Sequence, residues 1–215
     1  VGKAQRTQLQ MVTIRFFRHR PAVISLIALL LIAGFAFLGP FFWQWDHTVY
    51  REIPSNLPPN ADHPLGTTAA GHDVLGQLMR GAQQTLKVAF LVSFSATALG
   101  SLWGATAGYF GGRVDSIMMR VAEVFLVVPL LVAAAAISGN VRGGTTWLSI
   151  ALIIALFAWA QIARVVRGVV LSLREQEFIE AARASGASAP WIIVRHLLPN
   201  AAGPIIVAAT LLVAT

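Results

Sequence analysis

Residues 88–112 read VAFLVSFSATALGSLWGATAGYFGG, a run without one charged side chain. Residues 22–42, 124–141, 143–163 and 196–215 share this property. A helix needs roughly 17–25 apolar residues to cross about 30 Å of hydrocarbon at ~1.5 Å per residue. The runs before residue 164 are each near or above that length. The sequence therefore predicts an all-α, polytopic transmembrane helical bundle.

The composition supports a membrane protein. Of the 215 residues 56% are hydrophobic and 12% are charged, whereas a soluble domain carries roughly 25% charged residues. A large soluble protein with buried helices is the alternative, but such helices rarely follow one another four times with so few charges between them. The absence of cysteine excludes disulfides and thiolate metal sites. No metal site is expected either, because five histidines never pair at ligand spacing on one helix: His19, His47, His63, His72 and His196.

We divide the chain at the apolar runs. Residues 1–21 are basic and amphipathic and are predicted to form a cytoplasmic or interfacial N-terminal helix. Residues 22–42 form the first span, which is too long for the 7–15-residue apolar region of a signal peptide and is expected to be an uncleaved anchor. Residues 43–84 are predicted to form an extracytoplasmic loop. The core domain covers 85–215, and its predicted parts are spans at about 85–109, 116–138, 147–163 and 199–215 (incomplete), with a polar loop at 164–198.

The distribution of positive charge gives the orientation. With the N-terminus inside, twelve of the 16 Lys and Arg residues fall on cytoplasmic segments, as the positive-inside rule requires. The net charge of +7 therefore marks a membrane face, and we expect no nucleic-acid partner. Residues 203–215 would extend only about 20 Å as a helix. We expect the natural protein to continue through the rest of this span and at least one more.

Small residues in the second span indicate close helix packing. Gly100, Gly104 and Gly108 repeat every four residues, and Ala96 extends the line. On a helix they share one face, and such faces let two backbones approach closely in lipid. The pattern fits a seam between subunits and a seam within one bundle equally well.

The third predicted span contains Arg120, Glu123 and Pro129. Arg120 and Glu123 are spaced i, i+3 near the cytoplasmic end, which favours a structural ion pair over a substrate or proton path. Pro129 is predicted to kink the helix.

Residues 172–199 read SLREQEFIEAARASGASAPWIIVRHLLP and are too charged to span. Helix formers run from Leu173 to Ala184, and Gly186 suits a left-handed C-cap. Ser188 followed by Pro190 indicates the start of a second helix. The pattern predicts a helix-turn-helix elbow on the membrane surface.

Within this elbow, Glu180-Ala181-Ala182, Gly186 and Leu198-Pro199 resemble the EAA motif of bacterial ABC importer permeases, EAA-x3-G-x9-I-x-L-P. Every spacing is kept, and the isoleucine position alone departs, being His196.

The flanking sequence resembles the C-type permease subunit of the dipeptide/oligopeptide (and nickel) importer family. The similar stretches are His63–Thr67 (HPLGT), Ala107–Gly112 (AGYFGG) and Leu171–Glu175 (LSLRE). Thr68 and His72 stand where the family signature has Asp and Arg.

The resemblance implies an ABC importer permease fold with a cytoplasmic coupling-helix elbow, in the bacterial inner membrane. It implies a B-type permease partner, two cytoplasmic ATPase subunits or domains, an extracytoplasmic binding protein and a di- or oligopeptide substrate, with surrounding membrane lipid. The implied ATPase-coupling residues are Glu177, Glu180, Ala181, Ala182, Gly186, Leu198 and Pro199. No substrate-binding residue is predicted. The chain has no G-x4-G-K-[ST] phosphate loop, so it is not expected to be an enzyme, and ATP and Mg are expected on the ATPase partners.

A secondary transporter or channel that works without ATP is the main alternative. It predicts ionisable residues along a path and broken helices near the midplane. A non-transporting scaffold predicts no functional loss when the elbow is altered. An intramembrane enzyme is disfavoured because the spans contain no catalytic Ser/Lys, Asp/Asp or HExxH pattern.

Overall fold

A computed structural model describes residues 16–45, 48, 54–139 and 146–214. Most of the predicted N-terminal helix at 1–21 lies outside these residues, and so does His47. The described residues are helical, apart from connecting segments and one isolated bridge between Thr67 and Asp73. The helices, in chain order, are α1 Arg20–Phe42, α2 Val74–Phe110, α3 Gly112–Val127, α4 Leu130–Ser138, α5 Trp147–Leu173, α6 Glu177–Ala184, α7 Ala189–Asn200 and α8 Ala202–Ala214.

The length and composition of these helices suit a membrane. Three of them, α1, α2 and α5, are long and apolar enough to cross it, and the number rises to five if each of the bent pairs α3–α4 and α7–α8 counts as one span. The prediction of an all-α, multi-pass membrane protein is confirmed. The chain divides into two compact units, Val1–Leu86 and Lys87–Thr215.

In the first unit, Asp73 organises the segment between α1 and α2. Its carboxylate is fully buried and accepts hydrogen bonds from Trp43 Nε1 (2.8 Å) and from the Gly76 backbone N–H (2.7 Å). His63 Nδ1 lies 2.9 Å from the other carboxylate oxygen. Asp73 thus caps the first turn of α2, and the helix begins at Val74.

That start differs from the predicted one. The sequence predicts a loop at residues 74–84 because the apolar run begins only near residue 85, yet these residues form the first turns of α2. Thr68 and His72, the two departures from the family signature, close a turn without a charge pair between them: Thr68 N–H donates to His72 O (2.9 Å) and His72 N–H donates to Thr68 Oγ1 (3.1 Å).

In the second unit, Pro129 does more than kink a helix. The predicted span 116–138 is divided into α3 and α4, which are bent by 77°. Proline lacks the N–H that would continue the ladder and pushes the preceding residue out of the helical region. Val128 accordingly has extended dihedral angles (φ −74°, ψ 123°).

Helix α5 extends beyond the predicted span 147–163, because Val166 and Val170 are fully buried and continue its packing face. Its N-terminus carries a capping box between Thr146 and Ser149. The last apolar helix begins at Ala202 rather than near 199, after a bend of 69°.

The glycine-rich face of α2, formed by Gly100, Gly104 and Gly108, packs against α5 of the same chain. A Cβ atom on Gly100 would lie 2.5 Å from the Trp159 carbonyl oxygen, and one on Gly104 would collide with the Ala163 carbonyl oxygen. Such separations leave no room for a side chain. We call this contact between α2 and α5 the glycine seam. The structure therefore gives these glycines a role in packing within one bundle.

Candidate functional site

The elbow comprises residues 174–200 and follows α5. The sequence predicted one helix from Leu173 to Ala184, but α5 ends at Leu173 and α6 begins at Glu177. Gln176 lies between them in extended conformation (φ −83°, ψ 145°). The short helix α6 is therefore set apart from the span that precedes it.

Gly186 ends α6 in the way that the sequence predicts. Its φ of +79° is in the left-handed region, where a Cβ atom is disfavoured. Its N–H donates to Arg183 O (2.9 Å), and the Ala187 N–H donates to Ala182 O (3.1 Å). This is the hydrogen-bond pattern of a Schellman motif, and it turns the chain sharply toward Ser188, the N-cap of α7.

One face of α6 is anchored in the bundle. Ile179 is fully buried and belongs to a core cluster with Val170, Ile192 and Leu197. Ala182 is half-buried and packs on the same cluster. The burial of Ile179 determines which face of α6 remains exposed.

The predicted coupling residues divide between the two faces. Ala182 and Leu198 pack inward on the core cluster. The others are exposed: Glu177, Glu180, Ala181, Gly186 and Pro199. Pro199 lies near the end of α7, away from the α6 turn in sequence, so α6 and its turn carry most of the exposed set.

An open groove adjoins this exposed face. It has a volume of about 680 Å³, and Ala181, Gly186, Phe178, Trp191 and His196 contribute to its lining. The His196 ring lies 4.7 Å from the Trp191 ring and 6.4 Å from the Phe178 ring. The His196 Nε2 atom is buried and has no hydrogen-bond partner in the described part of the chain.

Sequence reasoning missed the two aromatic residues of this groove. Phe178 is 40% and Trp191 48% exposed, although large apolar side chains on a short amphipathic helix normally face the core. In the sequence His196 is distinguished only as a departure from the EAA pattern. The sequence signal for the groove would have been Phe178 and Trp191 on either side of the Gly186 turn, together with His196 in the isoleucine position.

Two arginines connect the elbow to the C-terminal end of α2. The Arg183 guanidinium lies 5.0 Å from the Tyr109 ring centroid, within cation–π range. Arg174 Nη1 donates to Gly108 O (3.1 Å). The AGYFGG stretch, which resembles the family sequence, thus contacts the elbow through Gly108 and Tyr109.

A third arginine ties α5 to α3. Arg167 donates from Nε and Nη2 to the two Asp115 carboxylate oxygens, each at 2.6 Å. Bidentate pairs of this kind combine strength with fixed geometry. By contrast, Arg120 and Glu123 approach only to 3.9 Å, with 86% and 53% of their side chains exposed, so the predicted structural pair is a loose one.

The elbow thus combines a buried inner face with an exposed outer face. In the described residues no group of three or more His, Cys, Asp or Glu side chains could hold a metal ion. A bundle of apolar helices with an outward-facing elbow is typical of the class of multi-pass membrane permeases.

Comparison with known proteins agrees with that class. Residues 100–215 match the family model "binding-protein-dependent transport system inner membrane component", and residues 7–59 match "N-terminal TM domain of oligopeptide transport permease C".

Among the similar proteins is the oligopeptide transport system permease protein OppC of Mycobacterium tuberculosis, 39% identical over 203 residues, which cover 93% of this chain and 69% of that protein. OppC of Escherichia coli (strain K12) is 38% identical over 201 residues (93% and 66%). The dipeptide transport system permease protein DppC of Bacillus subtilis is 37% identical over 201 residues (93% and 62%). The chain belongs to the family of binding-protein-dependent transport system inner membrane components.

Proposed function

We propose that this chain forms the translocation path of an ATP-driven importer of di- and oligopeptides, together with a second, B-type permease subunit. The support for the substrate class is the set of relatives named as oligopeptide and dipeptide permeases, which are 37–39% identical over 201–203 residues. The support for energy coupling is the geometry of the elbow.

The observation that carries the proposal is that α6 has one face buried in the bundle and the opposite face exposed. Its inner face is fixed by the fully buried Ile179, while Glu177, Glu180 and Ala181 remain exposed. To couple ATP hydrolysis to transport, α6 must be firmly attached to the helical bundle and also accessible to the ATPase. In this proposal the exposed face of α6 inserts into a cytoplasmic ATPase, and closure of the ATPase pair on ATP switches the path between its inward- and outward-facing states.

The remaining partners follow from the same scheme. Two ATPase subunits or domains hold ATP and Mg, and an extracytoplasmic binding protein delivers the peptide. The chain lies in the bacterial inner membrane with its N-terminus in the cytoplasm, as the asymmetry of Lys and Arg favours. The elbow is then cytoplasmic, and the segment 54–73 faces the other side.

Two substitutions test the coupling role in the complete complex. Glu180→Arg reverses a charge on the exposed face, and Gly186→Val forces a β-branched residue into the left-handed region. Both should reduce peptide-stimulated ATP hydrolysis and the amount of ATPase that co-purifies, while membrane insertion is unchanged.

Matched controls separate coupling from general damage. Asp62→Arg reverses an exposed charge in the segment 54–73, and Gly168→Val adds a side chain where no atom lies within 4 Å of the new Cβ. Both controls should keep ATPase binding. Normal coupling in Glu180→Arg and Gly186→Val would contradict the assignment, and uptake that continues without any ATPase would favour an ATP-independent transporter.

A further inference from the structure

The exposed side of α3 carries two charged side chains within a predicted membrane span. Arg120 and Glu123 are both exposed and approach only to 3.9 Å, so neither charge is closely neutralised. Glu123 lies about 16 Å along the helix from Gly112 at ~1.5 Å per residue. In the proposed topology this is roughly half the thickness of the hydrocarbon layer, which is deeper than the cytoplasmic end to which the sequence alone assigns the pair. A charged group facing lipid there is costly. This side of α3 must therefore meet water or polar groups.

The end of α3 supports the same conclusion independently. Val127 follows Arg120 by seven residues and Glu123 by four, so the three share one helical face. Val127 is 80% exposed, and the backbone leaves the helix at Val128 and Pro129, which are exposed as well. Irregular backbone at membrane depth is tolerated only where protein buries it or where it lines a water-filled cavity.

A charged cavity lies on this face. It has a volume of about 440 Å³ and is lined by side chains of both signs from α3 and α5. Arg120, Glu123 and the exposed Arg164 surround it, and the Asp115–Arg167 ion pair forms part of its wall. Because Asp115 and Arg167 neutralise each other at 2.6 Å, the groups available to a ligand are two guanidinium groups and one carboxylate.

We propose that this cavity is part of the translocation path and contacts the charged groups of a passing peptide. The inference rests on the proposed peptide importer. Glu123 receives the ammonium groups of the peptide, terminal or on lysine side chains, and Arg120 and Arg164 receive its carboxylates. A peptide is a zwitterion in water, and a wall with both signs of charge lets either end leave its hydration shell without an unpaired charge. An apolar wall would impose the full desolvation cost.

Cysteine labelling tests whether the exposed face of α3 is accessible to water and contacts the substrate. The 215 residues contain no cysteine, so Glu123→Cys and Val127→Cys each add one reactive site to them, and the unsubstituted complex gives the background labelling. In the complete complex in proteoliposomes, a charged methanethiosulfonate reagent should modify both. Trialanine, added with the binding protein and ATP, should slow both reactions severalfold.

Two control positions calibrate the labelling. Ala122→Cys lies on the same helix at a fully buried position, and Leu31→Cys lies on the apolar helix α1, where the native side chain is 69% exposed. Neither should react with the charged reagent. If positions 123 and 127 are as unreactive as these controls, the face is dry and covered by another protein chain, and the proposal is wrong.

Charge preference tests the ligand class. Glu123→Lys should lower the uptake of trilysine relative to triglutamate about fivefold, the size of one partly exposed ion pair. Glu123→Gln should have a smaller effect in the same direction. Labelling that trialanine does not slow, or an unchanged uptake ratio, would overturn the contact with peptide.

Failure of this inference can be distinguished from failure of the proposed function. The unmodified complex is assayed first with trialanine, trilysine and triglutamate. No ATP-dependent uptake of any of them would overturn the peptide importer and this inference together. Normal uptake with an unreactive α3 face would overturn the inference alone.

Discussion

The glycine seam and the exposed face of α6 are both built around small residues, but they differ in what they contact. In the seam, Gly100 and Gly104 lie directly against the α5 backbone. On α6, Ala181 and Gly186 are exposed, and an added Cβ on Gly186 would meet no atom within 4 Å. Small residues permit close approach in both places. The first approach is completed within the chain, whereas in the proposed function the second is made by the ATPase.

The largest effect is expected from filling the seam. In Gly104→Val the new Cβ would collide with the Ala163 carbonyl oxygen, so α2 and α5 must separate. We expect a loss of about 3 kcal/mol or more, at the upper end of overpacking effects, with a lower melting temperature of the purified protein. Gly168→Val is the control and should leave the melting temperature nearly unchanged. Equal stability of the two variants would show that the seam is not as close as described.

A smaller loss of stability is expected from breaking the Asp115–Arg167 ion pair between α3 and α5. Arg167→Gln leaves the mostly buried Asp115 carboxylate (side chain 11% exposed) without its partner. Breaking a buried pair costs ~3–5 kcal/mol, and because Arg167 is 35% exposed, we expect about 2 kcal/mol.

A double-mutant cycle measures the interaction free energy between Asp115 and Arg167. Adding Asp115→Asn to Arg167→Gln should recover part of the lost stability, since no uncompensated charge remains. Arg120→Gln serves as control, because the pair that it breaks is exposed and 3.9 Å long. Additive losses in the double variant would mean that Asp115 and Arg167 do not interact.

The smallest effect is expected in the groove beside α6. His196→Ile restores the residue type of the EAA pattern and removes a buried Nε2 that lacks a partner in the described residues. Removing an unsatisfied polar atom should stabilise the chain by up to about 1 kcal/mol. His196→Asn keeps a polar group and should bring no gain. Clear destabilisation by His196→Ile in thermal melts would show that Nε2 is paired in the intact protein.

Much of this architecture could be predicted from the sequence because lipid imposes simple rules. Charge-free runs locate helices such as α1, and the small-residue periodicity of Gly100, Gly104 and Gly108 identifies a packing face. The left-handed conformation of Gly186 was predictable because a glycine after a run of helix formers is the usual C-cap.

The features that were missed depend on contacts between distant residues. The start of α2 at Val74 depends on the Asp73 carboxylate and its contacts with His63 and Trp43. The extension of α5 depends on the burial of Val170 among elbow residues.

The elbow shows the same limit. Local helix propensity favours one helix through residue 176, and only the structure shows the interruption at Gln176. The EAA pattern identified Ala181 and Ala182 together, but it could not tell that Ala182 faces the core while Ala181 faces outward.

The most direct test of the coupling account is photo-crosslinking from α6 in an actively transporting complex. A photoreactive amino acid at position 181, on the exposed face, should capture the ATPase subunit. The same residue at position 179, where Ile179 is fully buried, should capture only this chain. Absence of ATPase capture from position 181 in a complex that hydrolyses ATP and imports peptide would contradict the account.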